Sequence, residues 1–410
     1  MKEPKIRFKG FSGEWKRSTL GDLALFSKGS GYSKSDICKE GTPVILYGRM
    51  YTKYQSVFDE IDTFVNPKDN SVVSKGGEVI IPGSGESSED ISLAAMVKNE
   101  GVILGGDLNI LKFNQKVNDP AFMSMAITYS PTRAELSSYS QGKTVVHLRN
   151  SEIAKGTIRY PDISEQNTIV NYVLSLDAQI SASTSRLASL KQVKAASLQA
   201  MFPQEGETVP KVRFKGFEGE WKKVKLNTFA KRIMRKNSNL ESSLALTIAS
   251  AYGLVSQAEY FNNLVVGSNI QNYYLLKKGE FAYNKSYSNG YPFGSVKRLD
   301  RYEQGILSTL YIVFSIDNSV SSDYITHFFD TTLWHKEIAE RAEEGARNHG
   351  LLNIATRDFF DIYIWMPDSV KEQQSIASFF TSLDRQIALH TQRLEKLKQI
   401  KAACLDKMFV

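Results

Sequence analysis

Gly142-Lys143-Thr144 ends as a nucleotide-cradling P-loop ends. That loop also needs a glycine five residues before its second one, and position 137 is Ser137, so the tripeptide reads as an ordinary loop. Gly29-Ser30-Gly31 and Gly83-Ser84-Gly85 have the spacing of a nucleotide or adenosylmethionine turn, but neither opens a helix, and both read as turns. His147, His327, His335, His349 and His390 are scattered without zinc-ligand spacing. The Asn/Asp-Pro-Pro-Tyr/Phe motif of amino-methyltransferases is absent. Pro161-Asp162 and Pro367-Asp368 lack the Asp/Glu-x-Lys that follows in many nucleases and read as helix starts. No group of residues assembles a catalytic constellation.

The remaining chemistry suits binding. Arginine pairs bidentately with guanine, Asn and Gln pair with adenine, and Ser, Tyr and Lys reach phosphates. Such residues are interleaved in the turns of both halves of the chain. In the first half they are Tyr47, Arg49, Tyr51 and Lys53, then Ser84 to Ser88 with Ser84 and Ser87, then Gln141, Lys143, Thr144 and His147. In the second they are Ser250 and Tyr252, then Asn284, Lys285, Tyr287, Asn289 and Tyr291, then Arg347, Asn348 and His349. Taken singly, each is a solvated loop residue. Their recurrence at matching places makes the set a candidate for reading DNA.

The elements that must hold these turns are duplicated. Glu165 to Phe202 (EQNTIVNYVLSLDAQISASTSRLASLKQVKAASLQAMF) aligns without a gap on Glu372 to Phe409 (EQQSIASFFTSLDRQIALHTQRLEKLKQIKAACLDKMF), an offset of 207. A repeat constrains architecture before any local reading does. Both copies lack Gly and Pro and carry a heptad-like stripe. The packing positions are Leu176, Ile180, Leu187, Leu190 and Leu198 in one, and Leu383, Ile387, Leu394, Leu397 and Leu405 in the other, with His390 and Lys401 interrupting the second stripe. Asp162 with Glu165, and Ser369 with Glu372, have capping-box spacing. Helices of this length reach about 57 Å.

PKIRFKGFSGEWK, Pro4 to Lys16, returns as PKVRFKGFEGEWK, Pro210 to Lys222. Ile6, Phe8, Phe11 and Trp15, with Val212, Phe214, Phe217 and Trp221, favour a docking segment packed on the helices over a DNA arm. Between these repeats lie two middles of common order but divergent side chains. Strand-like runs at 42–47, 77–82 and 108–113 precede a helix at 120–129. Runs at 244–248, 279–283 and 310–314 precede a helix at 323–339. Duplicated parts would bind one thing twice, and divergent parts two different things. Residues 203–209 (PQEGETV) read as an exposed linker.

At 410 residues the chain exceeds one ordinary core. A formal net charge of +7 favours an acidic partner such as nucleic acid. Cys38 and Cys404 lie far apart without a CxxC, which points to a reducing cytosol. MKEPKIRFKGF lacks the apolar core of a signal peptide, and no apolar run approaches a membrane span, so a cytoplasmic location is expected.

The chain resembles the DNA-specificity (S) subunit of Type I restriction-modification enzymes over essentially its whole length. The resemblance rests on two divergent middles, each followed by proline, Glu-Gln (Glu165-Gln166, Glu372-Gln373), SLDAQI or SLDRQI, and RLxxLKQxKAA. NKSYSNGYPFGSVKR, Asn284 to Arg298, adds to it. It implies an α+β fold, with two mixed α/β target-recognition domains separated by two long antiparallel coiled-coil helices. The implied divisions are 1–160, 161–210, 211–366 and 367–410. It further implies a non-catalytic subunit whose domains each read half of a bipartite double-stranded DNA target. Two methyltransferase subunits would dock on it, two restriction (motor-nuclease) subunits would optionally join, and S-adenosylmethionine, ATP and Mg²⁺ would belong to those partners. Independently of the resemblance, a coiled-coil scaffold recruiting two proteins without touching DNA remains open, as does an enzyme of unrecognised type.

Overall fold

The computed structural model describes residues 3–142, 145–249, 253–261, 269–286, 290–342, 352 and 354–410. They form two compact units, Met1–Thr184 with Gln392–Val410, and Ser185–Thr391. Two uninterrupted helices, Ile163–Ala200 and Val370–Lys407, each contribute residues to both units. No helix among the described residues is long and apolar enough to cross a membrane.

The first unit is built on a five-stranded sheet of order Ala24–Lys28, Leu108–Phe113, Glu78–Pro82, Ala95–Val97, Val57–Phe58, antiparallel except for its last pair. Glu78–Pro82 is buried throughout, as its run of Val79, Ile80 and Ile81 requires of a central strand. A second five-stranded sheet contains Thr42–Ile45. The helix Pro120–Tyr129 starts with proline at its first turn, where a missing N–H costs nothing, and Asp119 caps it.

The second unit repeats the core with less around it. Its four-stranded sheet runs Ala230–Arg232, Ile312–Ile316, Phe281–Asn284, Ser295–Arg298, the same order as the first four strands above. The single helix expected over 323–339 is instead two, Ser322–Phe328 and Leu333–Arg341. The break between them is held by Thr331, whose hydroxyl accepts from Leu333 N–H, and by the Trp334 indole donating to Phe329 O. Each domain is closed where it begins and ends by a short antiparallel ladder, Lys16–Thr19 with Thr157–Tyr160 and Lys222–Lys225 with Tyr363–Met366.

The helical stripe is present. Leu176, Leu190, Leu383, Leu394, Leu397 and Leu405 are buried, and Ile180, Leu187, Leu198 and Ile387 are half-buried. The repeated SLDxQI aspartate and KQxKAA lysine explain one polar interruption. Asp177 pairs with Lys401 in the first unit, and Asp384 with Lys194 at 2.7 Å in the second. Within each unit, therefore, the two helix segments run antiparallel. Phe409 packs on Phe122 (5.6 Å between centroids) in the first core, and Phe202, its repeat counterpart, on Tyr324 (5.7 Å) and Trp221 (5.9 Å) in the second. The helix that leaves the first domain thus ends in the core of the second, and the helix that leaves the second ends in the core of the first.

The docking segments form as expected in part. Trp15 and Trp221 are buried, Phe8 meets Tyr172, and Phe214 meets Phe379. Ile6 and Val212 are exposed and contribute backbone instead, their N–H groups donating to Lys407 O and Ala200 O. The capping boxes form only in part: Ser369 Oγ accepts from Glu372 N–H at 3.4 Å, but neither glutamate side chain turns back to its cap. Glu165 is turned to Arg7, which grips it with two nitrogens at 2.7 Å, and Glu372 is turned in the same way to Arg213. Each arginine also donates to two carbonyls of its own segment, Ser12 and Gly13 or Glu218 and Gly219. A buried carboxylate that gains a guanidinium fork has more to gain there than at an exposed helix cap. Gln166 accepts from Asp119 N–H and donates to Pro161 O, and Gln373 does the same with Ser321 and Pro367. Residues 203–209 are less exposed than a free linker: Pro203 is buried, Gln204, Glu207 and Thr208 are half-buried, and the segment is pinned by Lys336 to Glu205 and by Trp221 N–H to Thr208 O.

Candidate nucleic-acid interface

In the first unit the three turn segments come together. Ser84–Gly85 pairs with Val146–His147, placing Ser84 opposite His147. The Tyr51 hydroxyl donates to Ser84 O at 2.7 Å. Gln141 and His147 exchange backbone hydrogen bonds at 3.0 and 2.8 Å, and Leu148 N–H donates to Gly83 O. Gly85 permits this approach, since a Cβ there would lie 2.8 Å from the Tyr51 hydroxyl. Gly29 serves a similar closeness between backbones, because its Cβ would lie 1.9 Å from Gly105 O. Neither glycine pair forms a nucleotide loop.

The gathered side chains divide by availability. Tyr47, Lys53, Gln141 and His147 are exposed, and Tyr47 and Tyr51 meet edge to face at 6.2 Å. Arg49 is taken: it pairs with Asp62, donates to Glu60 O, and lies over the Phe58 ring. Its guanidinium ties the segment that follows Tyr47 to residues 58–62. Asp62 also takes Lys53, and both cations hold its carboxyl well below the usual range. Ser84 is buried and bonds Asp107, while Ser87 caps the helix Ser88–Ile91. Burial pushes the Tyr51 hydroxyl up, and the neighbouring Asp90, Tyr47, Asp107 and Glu86 push it further. These carboxylates were not singled out in the sequence. Gly105-Gly106-Asp107 is a turn signal, and Asp107 adopts φ 63°, a region Asp tolerates better than most residues.

In the second unit Asn284 stands opposite Ser295, and its carboxamide oxygen accepts from Ser286 N–H. Gly294, at φ 76°, is required: a Cβ there would lie 2.0 Å from Asn284 O. Leu352 N–H donates to Lys285 O at 3.0 Å. Asn284, Lys285 and Tyr291 are half-buried. Lys143, Thr144, Ser250, Tyr252, Tyr287, Asn289, Arg347, Asn348 and His349 lie outside the described residues.

One cluster has metal-ligating types: His327, Asp330 and Asp384 bring their ligand atoms within 4.8 Å of one another. The position between the carboxylates already holds a cation. Lys194 Nζ lies 2.9 Å from Asp330 and 2.7 Å from Asp384, and Lys297 Nζ lies 2.8 Å from Asp330. Burial alone would raise Asp330, but Lys297, His327 and Lys194 outweigh it and hold the carboxyl far below the usual range. Burial would likewise lower Lys194, and Asp330 and Asp384 raise it instead. The cluster is a lysine-neutralised ionic joint.

A family model, the Type I restriction modification DNA specificity domain, matches residues 12–192 and again 218–399. The chain belongs to this Type I specificity family. Its fold is that of the S subunit of a Type I restriction-modification system from M. genitalium, with 14% identity, TM-score 0.63, and coverage of 100% of this chain and 99% of that one. An HsdS subunit from Thermoanaerobacter tengcongensis is also similar, with 14% identity, TM-score 0.45, and 96% of each chain covered. No curated protein sequence matches the chain. The two family matches fall on the two halves of the repeat, and each contains one of the two alike sheets and most of one long helix. DNA target recognition is the family's role, and the middles of the two specificity domains are where the side chains of the repeats differ.

Proposed function

We propose that this chain is the specificity subunit of a Type I restriction-modification complex whose two domains each read one half of a bipartite, asymmetric DNA target. The observation that carries the reading is the contrast between duplicated and divergent parts. The latches Arg7–Glu165 and Arg213–Glu372, and the pairs Asp177–Lys401 and Asp384–Lys194, repeat across the halves. The turns holding Tyr47, Gln141 and His147 in one half, and Asn284, Lys285 and Tyr291 in the other, do not. We assign 1–160 and 211–366 to the recognition domains, and 161–210 and 367–410 to the spacer helices. The spacer sets the separation of the half-sites, near one turn of DNA (about 34–36 Å) or a multiple of it. The exposed Arg186, Lys191, Arg393 and Lys398 belong to the faces on which two methyltransferase subunits dock, optionally joined by two restriction subunits. S-adenosylmethionine, ATP and Mg²⁺ are carried by those partners, and the complex works in the cytoplasm.

The test is co-expression with a methyltransferase subunit, followed by sequencing of methylated DNA. A bipartite motif with methylated adenine is expected. Failure to form a complex, together with the absence of salt-sensitive binding to any DNA, would overturn the reading. It would favour the second one, a scaffold for two protein partners, for which the carboxylates of Glu86, Asp90 and Asp107 around Tyr51 would suit a basic protein segment.

A further inference from the structure

Among the described residues, the Lys297–Asp330–Lys194 part of the second unit's ionic joint has no counterpart in the first, whereas its Lys194–Asp384 pair repeats there as Lys401–Asp177. Lys297 lies on the strand Ser295–Arg298, directly opposite Ala282. In the first unit Ala95 stands in that register, opposite Ile80. Thr128, in the place of Asp330, closes the junction there, accepting from Ala94 N–H at 2.9 Å and donating to Ala94 O at 3.1 Å. The first unit thus uses a neutral hydroxyl where the second uses a chain of charges. That chain runs from Lys297 to Asp330, from Asp330 to Lys194 on one long helix, and from Lys194 to Asp384 on the other. His327 lines it, with Nε2 at 3.1 Å from Thr381 Oγ1 and Nδ1 at 3.7 and 3.8 Å from the two carboxylates. Arg298 adds a parallel tie from the same strand to Ser322 and Asp323.

Lys297 lies on the strand Ser295–Arg298, which follows the candidate DNA contacts Asn284, Lys285 and Tyr291 in the chain and pairs with the strand that ends at Asn284. We propose that Lys297 is a positioning residue for base recognition by this domain, fixing the strand Ser295–Arg298, beside Asn284 and after Lys285 and Tyr291, to both long helices through Asp330 and Lys194. The proposal rests on the reading of the chain as a DNA-specificity subunit. Two lysines and two aspartates cancel in charge, and a shift of the strand would leave a buried charge without its partner, so few placements are allowed. Phosphate contacts tolerate small displacements, whereas base-edge hydrogen bonds do not. A loosened strand therefore loses discrimination before it loses binding. Lys297→Met leaves Asp330 with Lys194, so the variant retains a paired carboxylate.

The complex with the methyltransferase subunit is assayed on the cognate duplex and on duplexes with one mismatch in either half-site. Single mismatches ordinarily cost about ten- to hundredfold. For Lys297→Met, discrimination in the second half-site should fall to within about threefold while that in the first is unchanged, and Lys297→Arg should restore it. Asp384→Asn, at the outer end of the chain, should move discrimination in the same direction and serves if Lys297→Met fails to assemble. A merely structural role would lower the yield of complex and leave both ratios intact. Unaltered second-half discrimination, or equal loss in both halves, overturns the proposal alone. Absence of bipartite methylation by the unsubstituted chain overturns the functional reading and the proposal with it.

Discussion

Arg7 and Glu165 show how one pair can decide what a repeated motif is for. Glu165 is 3% exposed and Arg7 15%, so removing the guanidinium strands a carboxylate away from water. Arg7→Ala should cost about 2–3 kcal/mol, measured by urea unfolding, with Arg213→Ala close to it. Arg7→Lys should recover less than half, because a lysine cannot donate as a fork. The neighbouring Lys16–Asp162 pair is exposed on both sides, and breaking it should change stability by less than about 1 kcal/mol. The first domain offers a sharper contrast. His147 is exposed at the gathered turns, so His147→Ala should weaken DNA binding and leave the melting temperature unchanged. Arg49 is held by Asp62, so Arg49→Ala should lower the melting temperature as well as binding. Equal melting shifts for the two would contradict this division.

At the scale of elements, the long helices carry two expectations. Inserting four residues, about one turn, into either spacer helix should change the gap between methylated half-sites and spare their sequences. Altered half-sites with the old gap would refute the spacer role. The second expectation concerns pH. The folded Asp330 carboxyl lies far below its ordinary value near 3.9, so its contribution is fully present above about pH 4 and lost as pH falls through the lower folded value. Lys194 is raised, so its contribution is present below about pH 10 and lost as pH rises through the raised value. The stability difference between the unsubstituted chain and Asp330→Asn should be flat from pH 5 to 9 and shrink in stronger acid, and again in strong base as Lys194 loses its proton. The stripe of these helices was legible in the sequence because the heptad spacing is local and was given twice. The partners of Lys194 and Lys401 were not, since Asp384 and Asp177 each lie on the other long helix, Asp330 lies between two short ones, and no spacing connects them. The break at 329–332 was missed for a related reason: Ser322 to Arg341 contains neither Gly nor Pro, and the chain turns there on side-chain bonds made by Thr331 and Trp334.

For the whole molecule, the domains are bounded by ladders as well as by sequence divergence. Lys16–Thr19 and Thr157–Tyr160 bring the two ends of the first domain side by side, so a domain can be exchanged at one structural seam. Replacing Arg17 to Tyr160 with the same region of a relative should change one half-site of the methylated motif and leave the other. A change in both would contradict independent reading. The existence of two alike domains was legible from the repeat, whereas the gathering of Tyr51, Ser84 and His147 was not, because it depends on strand pairing between segments far apart in sequence. That same long-range closure has a consequence for synthesis. Asp177 meets Lys401, 224 residues later, and the first core contains Met408 and Phe409. A ribosome must therefore translate the entire second unit before the first can complete its interior. Until then Phe122 and Ile169 line an open apolar face, and the nascent first unit should be a client for chaperones even after its own sheet has formed.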